Sequence, residues 1–192
     1  MNVPALFLDR DGVINQDSGY THRIDDFVFL PGIFELCRHA RAAGWRIFVV
    51  TNQAGIGRGL YTEKDFLDLT QWMLTQFEAA GAAIDKVYFC PYHAEAAVGE
   101  YRRDSKFRKP NPGMILQARD EFSLDLAASV LVGDKPSDIE AGQRAGVGTN
   151  LLLVSAQVSA AASELPVGAL PIHDLSQALD FIPGPPAVVP SP

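Results

Sequence analysis

The chain of 192 residues is 47% hydrophobic and 20% charged, a composition typical of globular proteins that excludes extensive disorder. Its formal charge of −7 disfavours nonspecific binding to nucleic acid or to an anionic membrane, because both need a basic protein surface. No stretch approaches the ~20 apolar residues that span a bilayer, and no basic segment precedes the first apolar run, so we expect a cytoplasmic protein without a membrane partner.

Short apolar runs alternate with helical patterns along the chain. The predicted strands are residues 3–9, 45–50, 84–90, 128–133 and 147–154. The intervening helices are predicted to open at Pro31, at a Thr62 cap, at Asn111-Pro112, and at a capping box formed by Ser137 and Glu140. This alternation is typical of βαβ units, so we expect an α/β fold with three Rossmann-like layers, a parallel sheet between two layers of helices.

Two long segments interrupt the alternation. Residues 10–30 are too many for a simple turn from strand to helix, and residues 91–110 form a second long loop. Both follow strands, so we expect them at the carboxyl edge of the sheet, where parallel sheets build their sites. We predict one domain over residues 1–182 and a flexible tail over 183–192, which is too rich in proline to pack.

The first predicted strand ends in a pair of carboxylates, Asp9 and Asp11, followed by Gly12. Side chains alternate along a strand, so residues two apart point to the same side. Two like charges buried side by side are costly unless a cation lies between them. The pair therefore indicates a metal site or a reaction on an anion.

Polar residues also follow the other predicted strands. Thr51, with two amides and a glycine-rich loop after it, follows the second strand, and such a loop can bind phosphate oxygens. Lys109 lies in the loop after the third strand, and Asp134 and Lys135 end the fourth, with Asp138 just beyond. These residues are expected at one edge of the sheet.

In this order, Asp9-x-Asp11-Gly12, Thr51, Lys109 and Gly133-Asp134 resemble the four motifs of haloacid dehalogenase-like phosphatases, over about residues 3–155. The resemblance implies a capless haloacid dehalogenase-like fold, since the chain has no room for the large cap domain of many relatives. It also implies that Asp9 is the nucleophile that forms an aspartyl-phosphate. Asp11 would protonate the leaving oxygen and then deprotonate the attacking water.

The resemblance also implies a Mg²⁺ cofactor, held by Asp9, the backbone carbonyl of Asp11 and Asp134, which are hard oxygen ligands. Thr51 and Lys109 would stabilise the transferring phosphoryl group. Lys135 would hold Asp134 or a substrate oxygen. For Lys135 and Asp138 the alternative of an exposed position near a helix start stays open.

Longer strings narrow the resemblance within the family. DRDGVIN, TNQAGIGRG, RKPNPGM and VGDKPSDIEAG are similar to the branch that removes the 7-phosphate of D-glycero-D-manno-heptose 1,7-bisphosphate, and histidinol-phosphate phosphatases share much of them. Residues 102–109 hold five basic and one acidic side chain, a local charge of +4 that suits a second phosphate. The predicted substrate contacts are Asp17, Ser18, Gly19, Tyr20, Thr51, Asn52, Gln53, Ala54, Arg108, Lys109 and Lys135, while His22 stays open between a ligand and a surface residue.

One motif of many relatives is missing. They bind structural zinc after the third strand through a Cys-x-His and a Cys-x-Cys pair, whereas this chain has Cys90-Pro91-Tyr92 and Ser105-Lys106-Phe107 at those positions. One of four ligands is left, with His93 displaced by one position, and structural zinc needs four. We therefore predict no zinc, and a loop ordered by packing of Tyr92 and Phe107.

Three alternatives accompany the expected sugar bisphosphate phosphatase. Histidinol-phosphate phosphatase needs the same chemistry on a monophosphate, which the basic loop disfavours. A DNA 3′-phosphatase is disfavoured by the acidic charge and by the lack of an aromatic and basic groove. A catalytically inactive phosphosugar-binding protein would usually have lost an essential group. We expect a monomer whose partner is a small phosphorylated sugar, and the anomer it prefers stays open.

Overall fold

The computed structural model describes residues 2–154 and 165–184. A six-stranded sheet runs through it in the order β3-β2-β1-β4-β5-β6, and every neighbouring pair is parallel. The strands are β1 (Ala5–Leu8), β2 (Arg46–Asn52), β3 (Lys86–Cys90), β4 (Val130–Gly133), β5 (Thr149–Leu153) and β6 (Leu170–Ile172). The order reverses between β1 and β4, and parallel sheets bind ligands beyond the carboxyl ends of the strands at such a point.

Helices connect the strands on both faces of the sheet. They are α1 (Ile33–Ala42), α2 (Ala54–Gly57), α3 (Glu63–Ala79), α4 (Gly113–Phe122) and α5 (Pro136–Ala145), with 3-10 turns at Ile24–Asp26, Gly99–Tyr101 and Leu175–Phe181. The predicted α/β fold with a parallel sheet between two helical layers is confirmed.

The alternation of side chains divides β1 between two apolar cores. Leu6 and Leu8 pack with the apolar faces of α1 and α3, whereas Phe7 packs on the opposite face with α4 and α5. All three side chains are fully buried, and burying one such side chain stabilises the fold by about 1.5–3 kcal/mol. The strand that carries Asp9 at its end is therefore held from both sides.

The boundaries of several elements differ from the prediction: four of the predicted strands are shorter, and α1 begins at Ile33 rather than at Pro31. β2 extends through Thr51 and Asn52, because both pair in register with β3. The predicted Ser137 cap of α5 is wrong: the helix begins at Pro136 with Lys135 as its N-cap. Asp138 Oδ2 accepts the N–H of Lys135 at 3.0 Å and so provides the cap from inside the first turn.

The carboxyl-terminal part contains elements that were not predicted. β6 includes Pro171, which lacks an N–H and is tolerated at the edge of a sheet. Asp174 then caps the last 3-10 turn by accepting the N–H groups of Ser176 and Gln177. The predicted flexible tail, 183–192, falls outside the described residues from position 185 onward. No helix in 2–154 or 165–184 is long and apolar enough to cross a membrane.

Residues 10–30 fold back beside the edge of the sheet. The N–H of Gln16 donates to the Val28 carbonyl at 2.9 Å, and Asn15 pairs with Phe29 in an antiparallel bridge. The segment therefore leaves β1 and returns next to its own start. It brings residues 17–22 over the carboxyl end of the sheet.

Candidate active site

Asp9 lies directly after β1 and is paired with a distant lysine. Asp9 Oδ1 is 2.8 Å from Lys109 Nζ, and both residues are buried. The same nitrogen donates to the Val50 carbonyl at 2.7 Å and lies 2.7 Å from Asp138 Oδ1. Lys109 thus joins the ends of β1 and β2 to the start of α5.

Three carboxylates meet around this lysine. Asp9, Asp134 and Asp138 each offer one oxygen, and these atoms lie within 4.8 Å of one another. Gly12 makes the approach of Asp134 feasible, since a Cβ at Gly12 would lie 2.2 Å from Asp134 Oδ2. Gly12 also adopts a φ of +91°, which favours glycine.

The electrostatics of the cluster indicate that a further cation belongs there. Burial raises the pKa of Asp9, with Lys109 opposing and Asp138 adding to the shift. Burial and the charge of Asp9 raise the pKa of Asp134 to about 7. Burial disfavours the charge of Lys109, but Asp138 and Asp9 outweigh it and raise the pKa of Lys109, so the lysine stays protonated.

The cluster fits a hard divalent cation. Asp134 Oδ1 is buried and has no hydrogen-bond donor in the part of the chain that the structure describes. Three carboxylates share the buried Lys109, which pairs with Asp9 and Asp138, and the half-exposed Lys135, which lies 3.6 Å from Asp134, and every candidate ligand atom is an oxygen. Mg²⁺ prefers such ligands. Asp9, Asp134 and Asp138 are thus the side chains that could hold it.

Asp11 lies in a different environment, where both of its oxygens accept hydrogen bonds. Arg10 Nη2 donates to Asp11 Oδ1 at 2.7 Å and to Oδ2 at 2.8 Å, and it also donates to the Thr21 carbonyl. Asn15 Nδ2 donates to Oδ1 at 3.0 Å, and Gln53 Nε2 donates to Oδ2 at 3.1 Å. Arg10 is fully buried and provides the cation for this carboxylate.

Thr51 and Gln53 leave β2 next to Asp11. Gln53 Nε2 donates to Thr51 Oγ1 at 2.9 Å, and Tyr61 Oη donates to Gln53 Oε1 at 2.6 Å. Both Thr51 and Gln53 are buried. The amide of Gln53 is therefore held by protein groups at both ends.

Asn52 attaches the loop of Lys109 to β2. Its Nδ2 donates to the carbonyl of Lys109 and its Oδ1 accepts the N–H of Lys109, both at 3.0 Å. Ala54, two residues on, begins the short helix α2. The amide of Asn52 thus fixes the backbone of the buried lysine.

The segment over the sheet edge is held to both sides of the site. Asp17 Oδ2 lies 3.1 Å from Lys135 Nζ, which is 3.6 Å from Asp134 Oδ2. Burial disfavours the charge of Lys135, but Asp134 and Asp17 outweigh it and raise the pKa of Lys135. Tyr20 is 42% exposed, and the guanidinium of Arg58 lies 5.6 Å from the centre of its ring.

The other predicted contacts of this segment make local hydrogen bonds. Ser18 Oγ pairs with Thr21 Oγ1 at 2.9 Å, and the N–H of Gly19 donates to Asp17 Oδ1 at 3.0 Å. Neither has a hydrogen bond to the acidic cluster within the described ranges. His22 stacks on Tyr61, with ring centres 5.0 Å apart, so its ring lies beside the residue that holds Gln53.

The chain is similar to known proteins over most of its length. A family model described as HAD-hydrolase-like matches residues 106–177. A Burkholderia mallei protein, named D-glycero-alpha-D-manno-heptose-1,7-bisphosphate 7-phosphatase, is 60% identical over 163 residues, which cover 85% of this chain and 86% of that protein. The chain belongs to the heptose bisphosphate phosphatase family of haloacid dehalogenase-like enzymes.

Two further comparisons agree with this assignment to the heptose bisphosphate phosphatases. A Yersinia pestis protein, named for the beta form of the same substrate, is 47% identical over 79% of this chain and 81% of its own length. The crystal structure of the D,D-heptose 1,7-bisphosphate phosphatase from B. bronchiseptica, complexed with magnesium and phosphate, matches with a TM-score of 0.80 and 28% identity. It covers 93% of this chain and 97% of that one.

The loop before Lys109 in this phosphatase is ordered by packing and by one arginine. Tyr92 and Phe107 pack against the core formed with α4 and α5. Arg108 is half-buried, and its Nη1 donates to the Tyr92 carbonyl at 3.2 Å. Burial lowers the pKa of the Arg108 guanidinium, and the nearby charge of Arg58 lowers it further.

The two remnants of the zinc motif are engaged in other ways. Burial raises the pKa of the Cys90 thiol, which disfavours the thiolate that zinc requires. His93 Nδ1 accepts the N–H groups of Glu95 and Ala96 at 3.2 and 3.1 Å. The absence of zinc stays a prediction, and metal analysis of the purified phosphatase tests it.

The sequence left the position of one site residue of this phosphatase open, and the role of another was overlooked. The open alternative of an exposed Asp138 is wrong, since it is 1% exposed and contacts Lys109. Its position four residues after Asp134 was the available signal. Arg10 was not considered as a partner of Asp11, although an arginine between two aspartates supplies the cation that such a pair requires.

Proposed function

We propose that this phosphatase removes the 7-phosphate of a D-glycero-D-manno-heptose 1,7-bisphosphate through an aspartyl-phosphate on Asp9, with Mg²⁺ as its cofactor. The observation that carries the proposal is the buried Asp9 carboxylate 2.8 Å from Lys109 and beside Asp134 and Asp138. The names of the similar proteins support the choice of sugar.

The first half of the reaction transfers the phosphoryl group to the protein. An Asp9 carboxylate oxygen attacks phosphorus, the bond from phosphorus to O7 of the sugar breaks, and Asp11 gives its proton to O7. In the second half Asp11 takes a proton from water, whose oxygen attacks phosphorus. The bond between phosphorus and the Asp9 oxygen then breaks, which releases inorganic phosphate and the Asp9 carboxylate. Asp9 and Asp11 are then ready for the next substrate.

Cations are needed because nucleophile and substrate are both anionic. A carboxylate about 4 Å from one phosphate charge is repelled by about 4 kcal/mol at an effective dielectric of 20. Lys109 supplies one positive charge beside Asp9, and Thr51 adds a hydroxyl donor. Mg²⁺, held by Asp9, Asp134, the Asp11 carbonyl and the nearby Asp138, would neutralise charge on the phosphoryl oxygens.

Residues around the site suit the rest of a sugar bisphosphate. Arg108 and Arg58 place two guanidinium groups near one another, and a second phosphate would relieve their repulsion. Tyr20 and Asp17 lie on the segment over the sheet edge and offer groups for sugar hydroxyls, with Lys135 beside Asp17. The backbone of Ser18, Gly19 and Ala54 completes the proposed contacts.

The anomer can be ranked from the comparisons. The relative at 60% identity carries the alpha name, while relatives at 44–49% carry the beta name. We therefore propose that the alpha bisphosphate is the better substrate. Separate measurement of kcat/KM for each anomer tests this, and a higher value for the beta anomer contradicts it.

A substrate panel tests the proposed function. We expect kcat/KM for the heptose bisphosphate to exceed that for histidinol phosphate by about 10²-fold, since the monophosphate loses a charged contact worth about 1.5–3 kcal/mol. It should also exceed that for fructose 1,6-bisphosphate, whose different sugar places its hydroxyls and second phosphate differently. Phosphorus NMR of the product should show that the phosphate at C1 is retained. A preference for histidinol phosphate would contradict the proposal.

A matched pair of arginine variants tests the second-phosphate contact. Arg108→Met should lower kcat/KM about 10²-fold for the bisphosphate but only a few-fold for heptose 7-phosphate, because only the former loses a charged contact. Arg119→Met removes a half-exposed arginine paired with Asp120 on α4 and should leave both values unchanged. An equal loss on both substrates would contradict the role of Arg108.

A further inference from the structure

The amide of Gln53 has every donor occupied by the protein. Its two Nε2 hydrogens point to Thr51 Oγ1 at 2.9 Å and Asp11 Oδ2 at 3.1 Å, and its backbone N–H donates to the Cys90 carbonyl at 2.8 Å. The side chain is 2% exposed. No donor of Gln53 is left for a substrate, although the sequence placed this residue among the substrate contacts.

The partners determine which way the amide faces. Asp11 Oδ2 already accepts from Arg10 Nη2 at 2.8 Å, and an amide nitrogen is the end of Gln53 that can donate to the same oxygen, so Nε2 faces Asp11 and Oε1 faces Tyr61. Tyr61 then donates its hydroxyl hydrogen to Oε1 at 2.6 Å. Burial raises the pKa of Tyr61 to about 12, which keeps this group a donor at neutral pH.

The same orientation determines how Thr51 can act. A hydroxyl has one hydrogen to donate, and Thr51 Oγ1 accepts from Gln53, so its own hydrogen stays available. Within the described residues, Thr51 Oγ1 has no acceptor for that hydrogen. A phosphoryl oxygen bound beside Asp9 is the natural acceptor.

The fold makes room for Tyr61 at one backbone position. A Cβ at Gly55 would lie 2.2 Å from Tyr61 Cε1 and 2.8 Å from its hydroxyl oxygen. Only glycine lets the ring pass along α2 to reach the amide of Gln53. On its other side the ring stacks on His22.

We infer that Gln53, held by the hydroxyl of Tyr61, is a positioning residue that aims Asp11 at the leaving oxygen and turns the hydroxyl of Thr51 toward the phosphoryl group. This deepens the proposed function and rests on it, because Asp11 must be the residue that protonates the leaving group. Gln53 acts through Asp11 and Thr51, and Tyr61 acts through Gln53, so neither is proposed to contact the substrate.

The experiment compares a poor and a good leaving group, using kcat/KM, which reports on transfer of the phosphoryl group to Asp9. Tyr61→Phe keeps the ring and removes the hydroxyl. It should lower kcat/KM about tenfold for the heptose bisphosphate, as for the loss of one hydrogen bond, and roughly twofold for p-nitrophenyl phosphate, whose leaving group needs no proton. Gln53→Glu, which places a carboxylate against Asp11, should show the same split with a larger fall of about 10²-fold on the sugar substrate.

Two controls separate this role from a structural one. Tyr88→Phe removes the hydroxyl of another buried tyrosine, which lies on the edge strand β3 and donates to Glu121 at 2.8 Å. This variant should leave kcat/KM unchanged for both the heptose bisphosphate and p-nitrophenyl phosphate. An equal fall on both substrates in Tyr61→Phe, a fall shared by Tyr88→Phe, or a rise in KM at constant kcat would overturn the inference. Asp11→Asn gives the largest difference between the two substrates that loss of the proton donor can produce. If its kcat/KM falls equally on both, the role of Asp11 in the proposed function is contradicted, whatever Gln53 does.

Discussion

The two aspartates that follow β1 lie two residues apart, yet their surroundings are built in opposite ways. Asp9 is paired with the buried Lys109, which it shares with Asp138, and the carboxylate of Asp134 lies beside both aspartates. Asp11 has its own arginine and two amide donors, so both of its oxygens are satisfied by the protein.

The difference matches the two tasks that the proposed mechanism gives these aspartates, attack on phosphorus by Asp9 and proton transfer by Asp11. Around Asp9 the carboxylates outnumber the nearby buried cation, and this excess makes a place for Mg²⁺. Around Asp11, Arg10 and two amides donate to both carboxylate oxygens, which fixes the direction of this carboxylate. In the proposed mechanism the nucleophile, Asp9, thus lies among carboxylates in excess of the nearby cations, whereas the proposed proton carrier, Asp11, has donors on both oxygens.

The largest expected effect is at Asp9. Asp9→Asn should reduce turnover more than about 10⁴-fold, because the amide cannot form the aspartyl-phosphate. Phosphate release measures the loss, and circular dichroism should show an unchanged fold. Asp120→Asn, a surface change on α4, should keep full turnover. Near-normal turnover of Asp9→Asn would contradict the nucleophile assignment.

The next largest effect is expected at Lys109, the buried partner of Asp9. Lys109→Met should lower kcat about 10²–10³-fold, as for the loss of one charge-stabilising donor. It should also reduce the free energy of unfolding by about 3 kcal/mol, because Asp9 and Asp138 lose their buried cation. Lys64→Met, on an 80% exposed lysine of α3, should change neither quantity. Urea unfolding and steady-state kinetics provide both readings.

At Arg10, the partner of Asp11, the expected loss is in the free energy of unfolding. Arg10→Met should reduce the free energy of unfolding by about 3 kcal/mol, since it leaves Asp11 without its buried partner. Adding Asp11→Asn should recover part of the loss, as a double-mutant cycle would show. Arg46→Met removes a half-exposed partner of Asp85 and should cost less than about 1 kcal/mol. If Arg10→Met and Arg46→Met lost equal free energy of unfolding, the claim that Arg10 is the buried cation of Asp11 would be contradicted.

The smallest effect tests where the metal binds. Mg²⁺ at about 100 times its Kd should stabilise the protein by about 2.7 kcal/mol, which raises Tm by roughly 2–4 °C per kcal/mol. Asp134→Asn should remove this shift, whereas Asp11→Asn should keep it, because the side chain of Asp11 faces Arg10 rather than the acidic cluster. Differential scanning calorimetry measures both, and an undiminished shift in Asp134→Asn would contradict the proposed site.

The strands and the residues at their ends could be predicted because the signals are local. Apolar runs determine where β1, β2 and β4 lie, and the carboxyl ends of parallel strands meet at one edge. Asp9, Thr51 and Asp134 were therefore expected together before any distance was known. β6 was missed, because a run of three residues containing Pro171 carries too weak a pattern.

What the sequence by itself determined is the α/β fold, its family and the order of its motifs. Only the tertiary structure decided which charge faces which: Lys109 reaches Asp9 and Asp138, while Arg10 turns back onto Asp11. It also placed the side-chain amide of Gln53 against Asp11 Oδ2, a contact between elements that the sequence did not predict. The physical reason is that strand and helix patterns depend on neighbours along the chain, whereas the partner of a buried charge depends on packing between elements that lie far apart in it.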